Sequence, residues 1–293
     1  MELFHTEGVE CYSPDIGNFN CKGYLLAGTA DLPARCLLCN SIQYNGSYSC
    51  WKCLQPGETA SVGKGRAHVY PFQMDYPKSF PKFNSVNGIA IDYMHGLLLG
   101  VQKLMIRLWF DKSFSTFPFN VHSAVEKVDE RLLSFLPTLS ITRLLRKIQN
   151  HIKYWKASEF KSFLLYYGAP VMFGILDRDR FSHYLNLVNA SQILLMNGST
   201  EEKLKNVEDM LFSFCGKFST LYNKKYMTLN IHQLVHLVDC VKELGPLYTH
   251  SYFPFEDKNG FVLKLIRGTQ NIDSQIITGI FSLRSYLNLN KNA

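Results

Sequence analysis

Cys50-Trp-Lys-Cys53, and much later Leu229-Asn-Ile-His232-Gln-Leu-Val-His236, decide how this chain is read. A Cys-x2-Cys knuckle presents two thiols to one point in space. Two histidines at i and i+4 share one face of a helix. Together they make a complete tetrahedral donor set for Zn2+. Asp31 lies 19 residues before Cys50, and Glu256 lies 20 residues after His236. One ion held by all four ligands would therefore tie distant parts of the chain together and bring Asp31 and Glu256 into one region. Neither half is diagnostic alone, and spacing equally fits free thiols and ordinary helix histidines. A second donor set also stays open: Cys36-x2-Cys39 with Cys50-x2-Cys53, a local four-cysteine ribbon. Against it, Leu32 to Leu38 reads as a helix start or tight turn in which Cys36 simply packs. His68 and His95 are ligand candidates with weaker logic.

Working outward, the chain has 293 residues, 46% hydrophobic and 14% aromatic, enough for one large domain or two small ones and too apolar for general disorder. A net charge of +7 fits a polyanionic partner. The N-terminus lacks a basic start and apolar core, so it does not read as a signal peptide. No run approaches the length of a membrane span. The expected compartment is reducing, where paired cysteines point to metal rather than to a disulfide.

Residues 1 to 30 read as broken β-structure, with Gly23 to Gly28 a short buried strand ending just before Asp31. Residues 40 to 85 lack a sustained period and read as a loop organised by metal. From Ile89 the apolar residues recur at helical steps through Leu108. Further helices are predicted over 121–136, from Ser158 to Leu165 with Pro170 as an interruption, over 177–196, 200–222 and 226–244, and from Glu256 to Ile266. Thr200 is a predicted N-cap and Gly245-Pro246 a predicted stop.

Asp31, directly after a strand, stands where nuclease-type sites place a metal-binding carboxylate, and Glu256 stands near a helix start. Converging carboxylates can hold Mg2+ ions that activate a hydroxyl and stabilise the leaving oxygen at a phosphodiester. Spacing alone favours plainer roles for both, an N-cap and a solvated helix acid. Asp92 with His95 is a further acid site, equally readable as a buried, paired Asp. Arg143, Arg146, Lys147, Lys153 and Lys156 around Trp155 resemble a phosphate-binding patch, and read more simply as a solvated helix face.

Several segments carry a family resemblance. They are Gly28-Thr-Ala-Asp31-Leu-Pro-Ala-Arg35, Asn45 to Glu58 around the knuckle, Ile91-Asp92-Tyr-Met-His95-Gly, Tyr154 to Tyr167, Leu229 to Leu237, Gly245 to Ser251, and Phe253-Pro-Phe-Glu256 with Asn259-Gly260. In this order they resemble the CACTA (En/Spm) transposases, DDE enzymes with an RNase H-like core. The resemblance implies an α/β, predominantly helical fold: a partial RNase H-like core with zinc knuckle over 1–89, a large all-α insertion over 90–245, and a return to the core over 246–293. It implies Asp31 and Glu256 as catalytic acids holding Mg2+, and Cys50, Cys53, His232 and His236 as a structural Zn2+ site in preference to the ribbon. It implies DNA as partner, no membrane, a nuclear location, and leaves a homo-oligomer open. The family's first catalytic Asp has no counterpart: only Asp15 stands nearby, in a turn-like segment too close to Asp31. The expectation is a catalytically incomplete, transposase-derived chain. The alternative is a domesticated, non-catalytic, zinc-stabilised module that binds DNA or protein.

Overall fold

A computed structural model describes residues 7–22, 28–38, 42–43, 45–74, 88–136, 141 and 143–291. The fold is mixed α/β and mostly helical, with three small two-stranded sheets among the described residues. It divides into two compact units, Met1–His250 and Ser251–Ala293.

The first unit opens with the antiparallel hairpin β1 (Val9–Ser13) and β2 (Gly17–Cys21), whose turn contains Asp15. β3 (Gly28–Ala30) ends directly before Asp31. Most of the strand predicted over 23–28 lies outside the described residues. The Asp31 carboxylate accepts the Ala34 N–H at 2.8 Å and so caps α1 (Leu32–Leu38). β3 pairs in parallel with β6 (Ile89–Ile91), Ala30 opposite Ile91. Asp31 and Asp92 are thus the next residues off the carboxyl ends of two adjacent parallel strands.

Two expectations are corrected here. Residues 40 to 85 are not a featureless loop, because β4 (Glu58–Val62) and β5 (Gly65–Val69) form a hairpin around Gly63, which takes φ +57°. The Gly-Lys pair supplies a two-residue turn. The strands are largely exposed and polar, so hydrophobic alternation did not reveal them. Nor is Ile89 the start of a helix. The β-branched Ile89 and Ile91 pair in the sheet, and the helix begins at Met94. There the Asp92 carboxylate accepts the N–H groups of Met94 (3.2 Å) and His95 (3.1 Å), and so breaks strand from helix.

The helical layer follows. A π-helical stretch, Met94–Gln102, runs into α2 (Lys103–Phe110), and α3 is Val125–Ser134. α4 (Ala157–Ser162) continues through a π-helical turn, Phe163–Tyr167, into α5 (Gly168–Met172). Pro170 therefore does not interrupt the helix as expected. The wide turn shifts the hydrogen-bond pattern just where proline's missing N–H would otherwise leave a gap. α6 (Arg178–Leu194) and α7 (Glu201–Tyr222) are capped by Asp177 and Thr200. Trp109, Tyr184, Phe214, Phe218 and Tyr222 fill the core between them, and the Trp109 indole donates to the Tyr222 hydroxyl at 3.2 Å. Removing one such aromatic costs about 3–5 kcal/mol. In the proposed basic patch, Arg146 forks onto the fully buried Glu159 carboxylate at 2.8 and 2.7 Å, and Trp155 is buried. That guanidinium is engaged by a buried carboxylate rather than held out to solvent alone.

α8 (Leu229–Gln233), a 3-10 turn Leu234–His236 and α9 (Leu237–Leu244) close the layer. Gly245, at φ +84°, ends α9 as predicted. In the second unit, α10 (Phe253–Leu265) has Pro254 in its first turn, and α11 is Ile272–Lys291.

Candidate metal centre

The knuckle is held by hydrogen bonds of its own. The Ser49 hydroxyl donates to the carbonyl of Gly46 at 2.7 Å, and the Tyr70 hydroxyl donates to the same carbonyl at 2.8 Å. The Ser49 N–H donates to the Tyr70 oxygen at 3.0 Å. The Tyr70 N–H in turn donates to the Met227 carbonyl, at the entry to α8. One tyrosine thus links the knuckle to the histidine helix, and its ring stacks on His232 with centroids 5.4 Å apart. Nothing local in the sequence marks Tyr70. It matters only because the fold brings both partners to it.

The four predicted ligands converge. The Cys50 and Cys53 sulfurs and the His232 and His236 ring nitrogens lie within 4.8 Å of one another, and all four residues are buried. Cys53 Sγ is 3.2 Å from His232 Nε2, and Cys50 Sγ is 3.5 Å from His236 Nε2. Ideal zinc bond lengths give a tetrahedral S···N edge of about 3.6 Å, so these contacts fit a shared ion. The alternative ribbon is not formed among the described residues. The Cys36 thiol instead donates to the Ile42 carbonyl at 3.2 Å, and Cys39 lies outside the described residues. His68 packs edge-on against Tyr70 and is not among the converging ligands.

The electrostatics suit a cation. Burial, and then the neighbouring Cys53, push the Cys50 thiol well above its ordinary value. The hydrogen bond from Cys50, with those from His232 and His236, pulls Cys53 far below it. The two thiols are thus driven in opposite directions by their mutual contact and by burial, and binding of a dication would favour the thiolate form of both. Burial lowers His236, keeping the imidazole in its neutral, ligating form. Beside the cluster Lys52 is buried, its ammonium 3.6 Å from Glu243 on α9. Arg35 of α1 lies over the Trp51 ring at 3.3 Å. These contacts fasten the knuckle to both neighbours.

The predicted acids fall in different units. Asp31 is half-buried at the β3–α1 junction, and Glu256 is exposed in the first turn of α10. Asp92 is buried and its carboxylate lies 2.5 Å from His95 Nδ1. Among the described residues, no helix is long and apolar enough to cross a membrane. No protein-family model, curated protein or solved structure matches this chain.

Proposed function

We propose that this chain is a zinc-stapled module of transposase descent that binds DNA or a protein partner and does not itself cut DNA. The convergence of Cys50, Cys53, His232 and His236 carries this reading. Their burial and complete donor count describe a closed, structural ion site, whereas a catalytic zinc keeps an open position. The descent rests on the CACTA-type segments of the sequence. DNA as partner and a nuclear location follow from that resemblance, and the net charge of +7 supports DNA. A homo-oligomer stays open in the same resemblance. The zinc content of purified protein tests the staple. One zinc per chain, lost in His236→Ala and kept in Cys36→Ser, is expected. Zinc kept in His236→Ala and lost in Cys36→Ser would overturn it.

A second reading, metal-dependent DNA strand cleavage and transfer, is favoured by one observation. Asp31 and Asp92 leave the carboxyl ends of paired parallel strands, where open sheets place ligand-binding groups. In that reading Asp31 is a Mg2+ ligand, and the role the resemblance gives Glu256 lies in the other unit. Mg2+-dependent nicking of plasmid DNA by the chain, lost in Asp31→Asn, would establish it. Absence of nicking leaves the binding module.

A further inference from the structure

The connection that leads into α4 is strongly one-sided in charge. Residues 143–156 hold five Lys and Arg and no Asp or Glu, against a net charge of +7 for all 293 residues. The sequence alone favours a solvated helix face here, and the structure does not form one. The regular structure of these residues is a single 3-10 turn, Ile152–Tyr154. Asn150 bends the chain at φ +65°, a conformation that asparagine tolerates.

Two buried carboxylates fasten this connection from inside. Asp129 of α3 accepts the N–H groups of Ile148 at 2.6 Å and Gln149 at 3.1 Å. Glu159 of α4 accepts the Lys156 N–H at 2.8 Å as well as the Arg146 fork, and Arg146 also donates to the Tyr154 carbonyl. Trp155 turns inward against Phe160 and Phe163, with ring centroids 5.5 and 5.8 Å away. Its neighbour Tyr154 turns outward and is 56% exposed, with the Lys153 ammonium 4.8 Å from its ring centroid. Arg143, Lys147, Lys153 and Lys156 are exposed as well. Among the described residues none of the four forms an ion pair with a carboxylate.

We propose that this connection binds single-stranded nucleic acid, with Tyr154 stacking on a base while Arg143, Lys147, Lys153 and Lys156 hold the phosphates beside it. Exposed cations on a backbone held in place suit a polyanion. The form of that polyanion follows from the ring and the local shape. Residues 143–156 offer no helix or strand ribbon of the length that enters a duplex groove. An exposed tyrosine stacks on a base only where that base has left the duplex. An acidic peptide would match the charges and leave the ring without a use. The inference rests on the DNA part of the reading above and deepens it, and it is independent of the zinc staple.

Fluorescence anisotropy of labelled oligothymidylate, with a duplex of equal length and polyglutamate as competitors, tests this on the full, zinc-loaded chain. The single strand bound about tenfold or more tightly than the duplex is expected. Tyr154→Ala should weaken single-strand binding about tenfold, and Tyr154→Phe, which keeps the ring, should bind as the parent does. Arg143→Gln combined with Lys147→Gln should flatten the log–log salt dependence by about 0.7 for each charge removed. Zinc content of the same samples reports that each variant is folded. Polyglutamate displacing the oligonucleotide as well as the nucleic acids do, or binding unchanged by Tyr154→Ala, would overturn the proposal. A duplex bound as tightly as the single strand overturns this inference and keeps DNA as the partner. Binding of neither removes both, and leaves a protein as the partner of the module.

Discussion

His232 and Gln233 are neighbours in the chain, yet they belong to two sites of opposite character. The metal centre has four donors, all buried, drawn from segments far apart in sequence. The strand-end crevice has two carboxylates and one imidazole, with His95 partly open to solvent. A closed donor set leaves an ion no free position and can only hold structure together. The crevice at the ends of β3 and β6 instead sets the buried Arg35 guanidinium among its acids. The same short helix thus offers a metal ligand with one side chain and lines the strand-end crevice with the next.

The largest expected effect separates the two sites outright. His236→Ala should lose zinc and with it the cooperative thermal transition, because zinc binding supplies about 10 kcal/mol or more to domains that depend on it. A transition retained without zinc would mean that the helical layer stands without the staple. Tyr70→Phe should be milder. It removes the hydroxyl shared by Gly46 and Ser49, so competition with a chelator should show zinc held about tenfold more weakly.

Acidification should act on the helical layer apart from either site. Burial lowers His183 to about 4 from its ordinary 6.5 while its ring stacks on Phe214. The unfolded chain therefore takes up a proton first. Stability is complete above pH 6.5 and falls as pH drops towards 4. In urea melts across that range, His183→Phe should flatten the dependence, and an unchanged slope would assign the acid loss elsewhere. Trp51→Leu keeps apolar packing and removes the ring beneath Arg35. It should cost about 1 kcal/mol in urea melts and leave zinc content intact. The smallest effect belongs to Asp31→Asn. Asparagine caps helices about as well as aspartate, so thermal stability should change by only a few tenths of a kcal/mol. A large loss would make Asp31 a structural residue and weaken the reading of it as a Mg2+ ligand.

Much of this architecture was legible residue by residue. The Cys-x2-Cys spacing and the i, i+4 histidines named the ligands because both patterns are local geometry. Asp177, Thr200 and Gly245 marked helix boundaries because capping is local as well. The β4–β5 hairpin escaped because its strands are polar on the exposed face. Ile89 to Ile91 was read as helix because a short buried apolar run has no period of its own, and only its parallel partner Gly28–Ala30 makes it a strand.

The sequence by itself determined which side chains could bind an ion, since a Cys-x2-Cys knuckle and an i, i+4 histidine pair each present two donors on one side. Only the tertiary structure decided which of them meet. It turned Cys50 and Cys53 towards His232 and His236 rather than towards Cys36, and it set Asp92 beside Asp31 through a strand pairing that no local pattern encodes. The physical reason is range. Spacing along a helix or knuckle is fixed by backbone dihedrals, whereas contact between distant segments is fixed by the packing of the whole core.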